Sequence, residues 1–157
     1  MEFGVHHVET HMRKTDLTVV YTNDPGMVDD SIDTMEWLLD ADDKYKVVGF
    51  DLAYTGGRAG HDQKVVVAQL CVGHHVLLYH YCLAIVPCER FTRFVNGPDY
   101  RLAAVDTTND PKVLKTSGLA CQKLVDTRNH YRVWGSTNTW TSMLTWPRPS
   151  STPTTLT

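Results

Sequence analysis

The sequence predicts an α/β fold: a mixed β-sheet of three antiparallel strands followed by a β-α-β-α continuation, with helices on its faces. Three observations carry this. Strand-like and helix-like apolar spacings alternate along the 157 residues. Three strand-like segments joined by short turns precede a crossover helix, after which strands and helices take turns, as in a sheet that mixes both pairing directions. Apolar side chains make up 42% of the chain, enough for one packed core and too few for two.

The elements follow in chain order. Asp16-Leu17-Thr18-Val19-Val20-Tyr21 has the β-branched content of a strand, and Thr22-Asn23-Asp24-Pro25 then offers a cap and a first-turn proline. Met27, Val28, Ile32, Met35, Leu38 and Leu39 draw an apolar stripe at helical spacing through to Asp40. Residues 46–54 read as a second strand, and Thr55-Gly56-Gly57-Arg58-Ala59-Gly60 as a loop. Residues 64–72 and 75–81 form the next two strands, joined by a tight hairpin at Gly73-His74. Helical spacing returns over 86–95 until Asn96-Gly97-Pro98 stops it. Residues 101–105 are a short strand, 110–118 a short helix with Pro111 at its first turn, and 121–125 a last strand.

Composition excludes several classes. The longest apolar runs, 65–68 and 76–79, fall far short of the roughly 18 residues that a membrane-spanning helix needs. Residues 1–14 interleave histidines with charges and lack the apolar centre of a secretory signal, so a cytosolic or nuclear protein is expected. Cys71, Cys82, Cys88 and Cys121 form no C-x-x-C pair, which argues for buried thiols over a disulfide frame or structural zinc. The net charge of −3 hides an asymmetry: residues 1–89 sum to −8 and residues 90–157 to +5. The acids of 24–43 read as a solvated helix face. The basic half could meet phosphate, though it holds no dense Lys/Arg cluster.

Four blocks carry a resemblance. Val47-Val48-Gly49-Phe50-Asp51, Val67-Ala68-Gln69-Leu70-Cys71-Val72-Gly73, Arg101 to Leu114, and Leu124-Val125-Asp126 are similar, in order and spacing, to the 3′-5′ exonuclease domain of the DEDD class. The likeness is greatest to the plant branch that resembles the Werner-syndrome exonuclease, and it runs from about Thr18 to Trp134. It implies an RNase H-like sheet over 16–134, preceded by an extension at 1–15 and followed by a Ser/Thr/Pro-rich tail at 135–157 whose composition is that of a disordered segment.

Such nucleases hold two divalent metals with four converging carboxylates, one ion activating water and the other stabilising the leaving oxygen. The family's first motif, Asp-x-Glu on a strand, sends both acids to one side. Here it reads Asp51-Leu52-Ala53, so the second position offers no oxygen. The second motif's aspartate falls on Asp110, while Ala104, Asp106 and Thr108 stand where family members usually have glycines. No acid follows Asp126, so the third motif's carboxylate has no counterpart and its Tyr or His no place. With Asp51 and Asp110 as remnants, the site is expected to hold at most one weakly bound Mg²⁺ or Mn²⁺ and to require none. Asp62 and Asp106 are the acids within reach of the vacant position.

The remaining histidines, His6-His7 with His11 and His74-His75, lack a third ligand or a base at metal-site spacing and read as solvated or hairpin residues. The glycine loop at 56–60 opens no helix and so is no phosphate cradle. The resemblance also implies loss of the family's C-terminal helix, which would leave an apolar sheet face to be covered. Trp140, Met143 and Leu144 at i, i+3 and i+4, with Trp146 beyond, are candidate anchors for that cover or for an interface. Two functions result: a non-catalytic interaction or regulatory protein, in a homo-oligomer or with a protein partner, or a nucleic-acid binder with residual or intact metal-dependent exonuclease activity. Any nucleic-acid contact is expected to be weak and non-specific.

Overall fold

The computed structural model describes residues 4–10, 13–41, 46–56 and 62–129, with side chains from residue 16 onward. Within them the chain runs β1 (Gly4–Thr10), β2 (Arg13–Thr22), α1 (Pro25–Ala41), β3 (Val47–Tyr54), β4 (Val65–Val72), β5 (His75–Tyr79), α2 (Glu89–Asn96), β6 (Arg101–Ala104), α3 (Asp110–Thr116) and β7 (Leu124–Asp126). The seven strands lie in the order β1-β2-β5-β4-β3-β6-β7. β3, β4 and β5 form the expected antiparallel meander. β6 then joins β3, and β7 joins β6, in parallel, each after a crossover through a helix. β2 pairs in parallel with β5, and β1 closes the far edge as an antiparallel hairpin with β2.

Period two sorts the side chains of each strand. Val48, Phe50 and Leu52 of β3, Ala68, Leu70 and Val72 of β4, Leu77 and Tyr79 of β5, and Leu102 and Ala104 of β6 are buried on one face. Onto this face α1 lays its predicted stripe, with Val28, Ile32, Met35 and Leu39 buried, and α2 and α3 add Phe91, Phe94, Val95, Val113 and Leu114. The register shift between Ala53 and Tyr54 lets Val65 rejoin this face although it lies three residues from Ala68. On the opposite face, cross-strand pairing aligns Tyr21, Leu78, Gln69 and Asp51 in one row and Val19, Val76, Cys71, Gly49 and Ala103 in the next.

Several boundaries differ from the sequence reading. β1 occupies part of the expected extension, because its pairing partner is the next strand and its own composition gives little sign of it. Helix α2 starts at Glu89 rather than at Val86, since Pro87 disfavours a helical conformation at the residue before it. The buried Cys88 then caps the helix, its Sγ accepting from the Phe91 amide at 3.3 Å and donating to Asp29 Oδ1 at 3.1 Å. The hairpin turns at Gly73, whose φ of 57° is a left-handed conformation that glycine adopts without strain. His75 corrects the reading of solvated histidines: it is buried against α1, with Nε2 2.7 Å from Ser31 Oγ. Residues 130–157, including the candidate anchors Trp140, Met143, Leu144 and Trp146, lie outside the described residues, as do His11 and the expected loss of a C-terminal helix.

Candidate metal centre

β3 delivers Asp51 and Ala53 to the face opposite Phe50 and Leu52, as alternation requires. Asp51 is exposed and sits across from Gln69, whose Nε2 donates to Asp51 Oδ2 at 3.0 Å. Ala53 lies opposite Val67 and is exposed. Two residues from Asp51 on the same strand face, Ala53 thus presents a methyl group and no oxygen.

Asp110 opens α3 and is 7% exposed. Burial raises the pKa of its carboxyl, and the charges of Asp51, Asp106 and Asp126 raise it further. Three acids thus act on Asp110: Asp51, Asp106 and Asp126. Asp106 was foreseen as a possible substitute and Asp126 was not. Asp62, the other foreseen substitute, is exposed, and its charge is not among those acting on Asp110.

Asp106 and Asp126 are already engaged, and by the same cation. Arg128 Nη2 lies 2.7 Å from Asp126 Oδ2 and 2.9 Å from Asp106 Oδ1. Its Nε donates to both oxygens of Asp126, at 3.1 and 3.2 Å, and its backbone amide donates to Oδ1 at 2.9 Å. Asp126 Oδ2 also accepts from the Thr107 amide at 3.1 Å, which ties the loop before α3 to the end of β7. The guanidinium holds the Asp126 carboxyl far below the usual carboxylate range. Asp106 itself has φ 59°, the left-handed region, in a position where the resemblance expects glycine. Its Oδ1 accepts from Thr108 Oγ1 at 2.8 Å, so it turns toward Arg128 and its own loop rather than toward the place beside Asp51.

A two-metal centre does not fit these residues. Ala53 supplies no ligand, Asp106 and Asp126 are bound to a guanidinium, and among the described residues no group of three or more His, Cys, Asp or Glu is arranged to hold a metal ion. Beside Asp51 the sheet carries an open groove of about 430 Å³, lined by Gly49, Gln69, Cys71, Val76 and Ala103 among others; Asp110 does not border it.

Neither a protein-family model nor a curated protein matches this sequence. Solved structures do match. The EXD2 exonuclease domain, in a crystal soaked in Mn and GMP, superposes with a TM-score of 0.60 at 15% identity, over 71% of this chain and 57% of that one. The same domain in another crystal gives 0.60 at 16% identity, over 71% and 58%. Escherichia coli RNase D, an exoribonuclease involved in structured RNA processing, gives 0.53 at 18% identity, over 73% and 28%. The fold is that of these exonuclease domains. This chain spans less than two thirds of each of these exonuclease structures. The sequence alone singles out Asp51, Ala53 and Asp110 and does not single out the Asp126–Arg128 pair. Its signal is the Asp-x-Arg spacing at a strand end, which period two alone would leave as a solvated charge pair.

Proposed function

We propose that this chain is a catalytically degenerate exonuclease-like domain that acts by binding a protein, either a second copy or an unlike partner, and not by cutting nucleic acid. The observation that carries the reading is Ala53, exposed on β3 two residues from Asp51, where two-metal chemistry calls for an oxygen ligand. The sheet face opposite the core supports the binding role. Tyr21, Val47 and Val105 are 40–45% exposed there and at the strand ends, beside half-buried Val19, Val76 and Leu78. Apolar area of this kind on a sheet is characteristic of interaction surfaces.

The test is digestion of a labelled single-stranded or recessed oligonucleotide in Mg²⁺ or Mn²⁺, with Asp51→Asn as control. The expected result is no shortening above a buffer blank. Metal-dependent shortening that Asp51→Asn abolishes would overturn the reading.

A further inference from the structure

Between β5 and α2 the chain holds large apolar side chains out in water. Leu83, Ile85 and Val86 are 54%, 97% and 62% exposed, and Cys82 and Pro87 beside them are exposed as well. No charged residue interrupts residues 81–88. A continuous apolar projection of this kind marks a contact surface, where a single exposed leucine would not. The loop is also fixed in shape. Asn23 Nδ2 donates to the Leu83 carbonyl at 3.2 Å, the Leu83 amide to the His80 carbonyl at 3.1 Å, and the Tyr81 hydroxyl to the Ser117 carbonyl at 2.9 Å. Ordered before any partner arrives, it gives up little conformational freedom on binding. A hollow of matching chemistry lies at the other end of α2. Pro111, Leu114, Leu119, Ala120 and Leu124 line an open apolar groove of about 370 Å³ between α3 and β7. The helix links the two features: Cys88 closes the loop and caps its start, and Asn96 at its end accepts from the Ala120 amide at 2.7 Å. Its eight residues, at about 1.5 Å each, set loop and groove roughly 12 Å apart.

We propose that the β5–α2 loop of one copy seats in the α3–β7 groove of a second copy, and reciprocally, about a two-fold axis that crosses α2. Such an axis sets the two α2 helices antiparallel, which exchanges their ends and brings each loop to the other copy's groove. Charge selects this arrangement. Helix α2 carries Glu89 in its first turn and Arg93 in its last, both exposed, and among the described residues neither is in an ion pair. Antiparallel helices set Glu89 of each copy beside Arg93 of the other, making two opposite-charge pairs, whereas parallel helices would set like against like. The contact then has an apolar centre and a charged rim, as stable interfaces do. It lies on the helix-covered side of the sheet and goes beyond the binding role proposed for the open face.

The experiment is analytical ultracentrifugation of the full chain, as wild type and as four single variants. Ile85 and Ala120 are both exposed, so Ile85→Asp on the loop and Ala120→Arg in the groove should leave the far-ultraviolet circular dichroism as in wild type. Each change occurs twice in a two-fold contact, so each should raise the dissociation constant of self-association roughly a hundredfold or more. Glu89→Arg and Arg93→Glu should each weaken association about tenfold, and an equimolar mixture of the two should recover it, because the mixed pair again sets opposite charges together. A wild type that runs as a monomer at about 0.1 mM assigns the loop to some other occupant and overturns the proposal. Ile85→Asp and Ala120→Arg chains that associate as wild type does, or a charge-swapped mixture no tighter than its components, overturn it equally. None of the four variants touches the open sheet face, so variants that match wild type leave the binding role there standing. Metal-dependent cleavage by wild type would overturn that role without bearing on this contact.

Discussion

At the scale of single residues, Asp106 shows how one position serves two constraints. Its φ of 59° costs an L-residue with a Cβ about 1 kcal/mol, less for aspartate, whose short side chain bonds locally, here with Thr108. Its ion pair to Arg128 returns little, because the Asp106 side chain is 64% exposed and solvent screens it. Asp106→Gly should therefore leave stability within about 0.5 kcal/mol of wild type, the relieved backbone offsetting the lost pair. Asp106→Val, β-branched in a left-handed conformation, should cost about 1–2 kcal/mol. Urea denaturation of the two variants checks both, and equal destabilisation would show that the ion pair, not the backbone, sets the position. That a glycine-like site lay here was legible from the resemblance. The direction of the carboxylate was not, since it depends on Arg128, more than twenty residues away.

At the scale of elements, the contact between α1 and β5 joins an apolar stripe to a buried polar pair. Ser31 and His75 are 3% and 6% exposed, and the hydrogen bond between them satisfies two groups that would otherwise be costly inside the core. Burial lowers the His75 pKa, and the neighbouring His74 adds to the shift. The sign follows directly: with its folded value below the ordinary 6.5, His75 stays neutral in the native state while the unfolded chain takes up a proton. Stability from this site is present above about pH 6.5 and is lost as pH falls below it. The urea midpoint should decline from about pH 7.5 to about pH 5, and His75→Gln, which keeps a partner for Ser31 without the titration, should flatten that decline. An unchanged slope would assign it to other groups. The α1 stripe was readable from spacing alone, as were the β4–β5 hairpin and the proline-opened α3. His75 was misplaced because it adjoins the turn, and only strand register shows which way it points.

At the scale of the whole molecule, helices cover one face of the sheet, and the described residues leave partly exposed apolar side chains on the other. Tyr21, Leu78 and Gln69 form a cross-strand row ending at Asp51, so the proposed interaction surface adjoins Asp51. The proposed binding role predicts that the full chain runs as an oligomer in light scattering at micromolar concentration. Val76→Lys, a charge at the centre of the groove, should shift it toward monomer while leaving the far-ultraviolet circular dichroism unchanged. A folded monomer for wild type would argue against self-association and leave an unlike partner as the form of the proposal.

By itself the amino-acid sequence determined the alternation of elements, the strand faces and the residue types at Asp51, Ala53 and Asp110, because these depend on local periodicity and on residue type at one position. Tertiary structure decided what those cannot reach. It placed β2 beside β5 and gave β1 its edge position, because pairing partners are chosen between segments distant in the chain. It set Asp126 beside Ala104 by parallel pairing of β7 with β6, and it put the Arg128 guanidinium between Asp106 and Asp126. Charge neutralisation acts across space at a few ångströms, and no spacing along the chain records it.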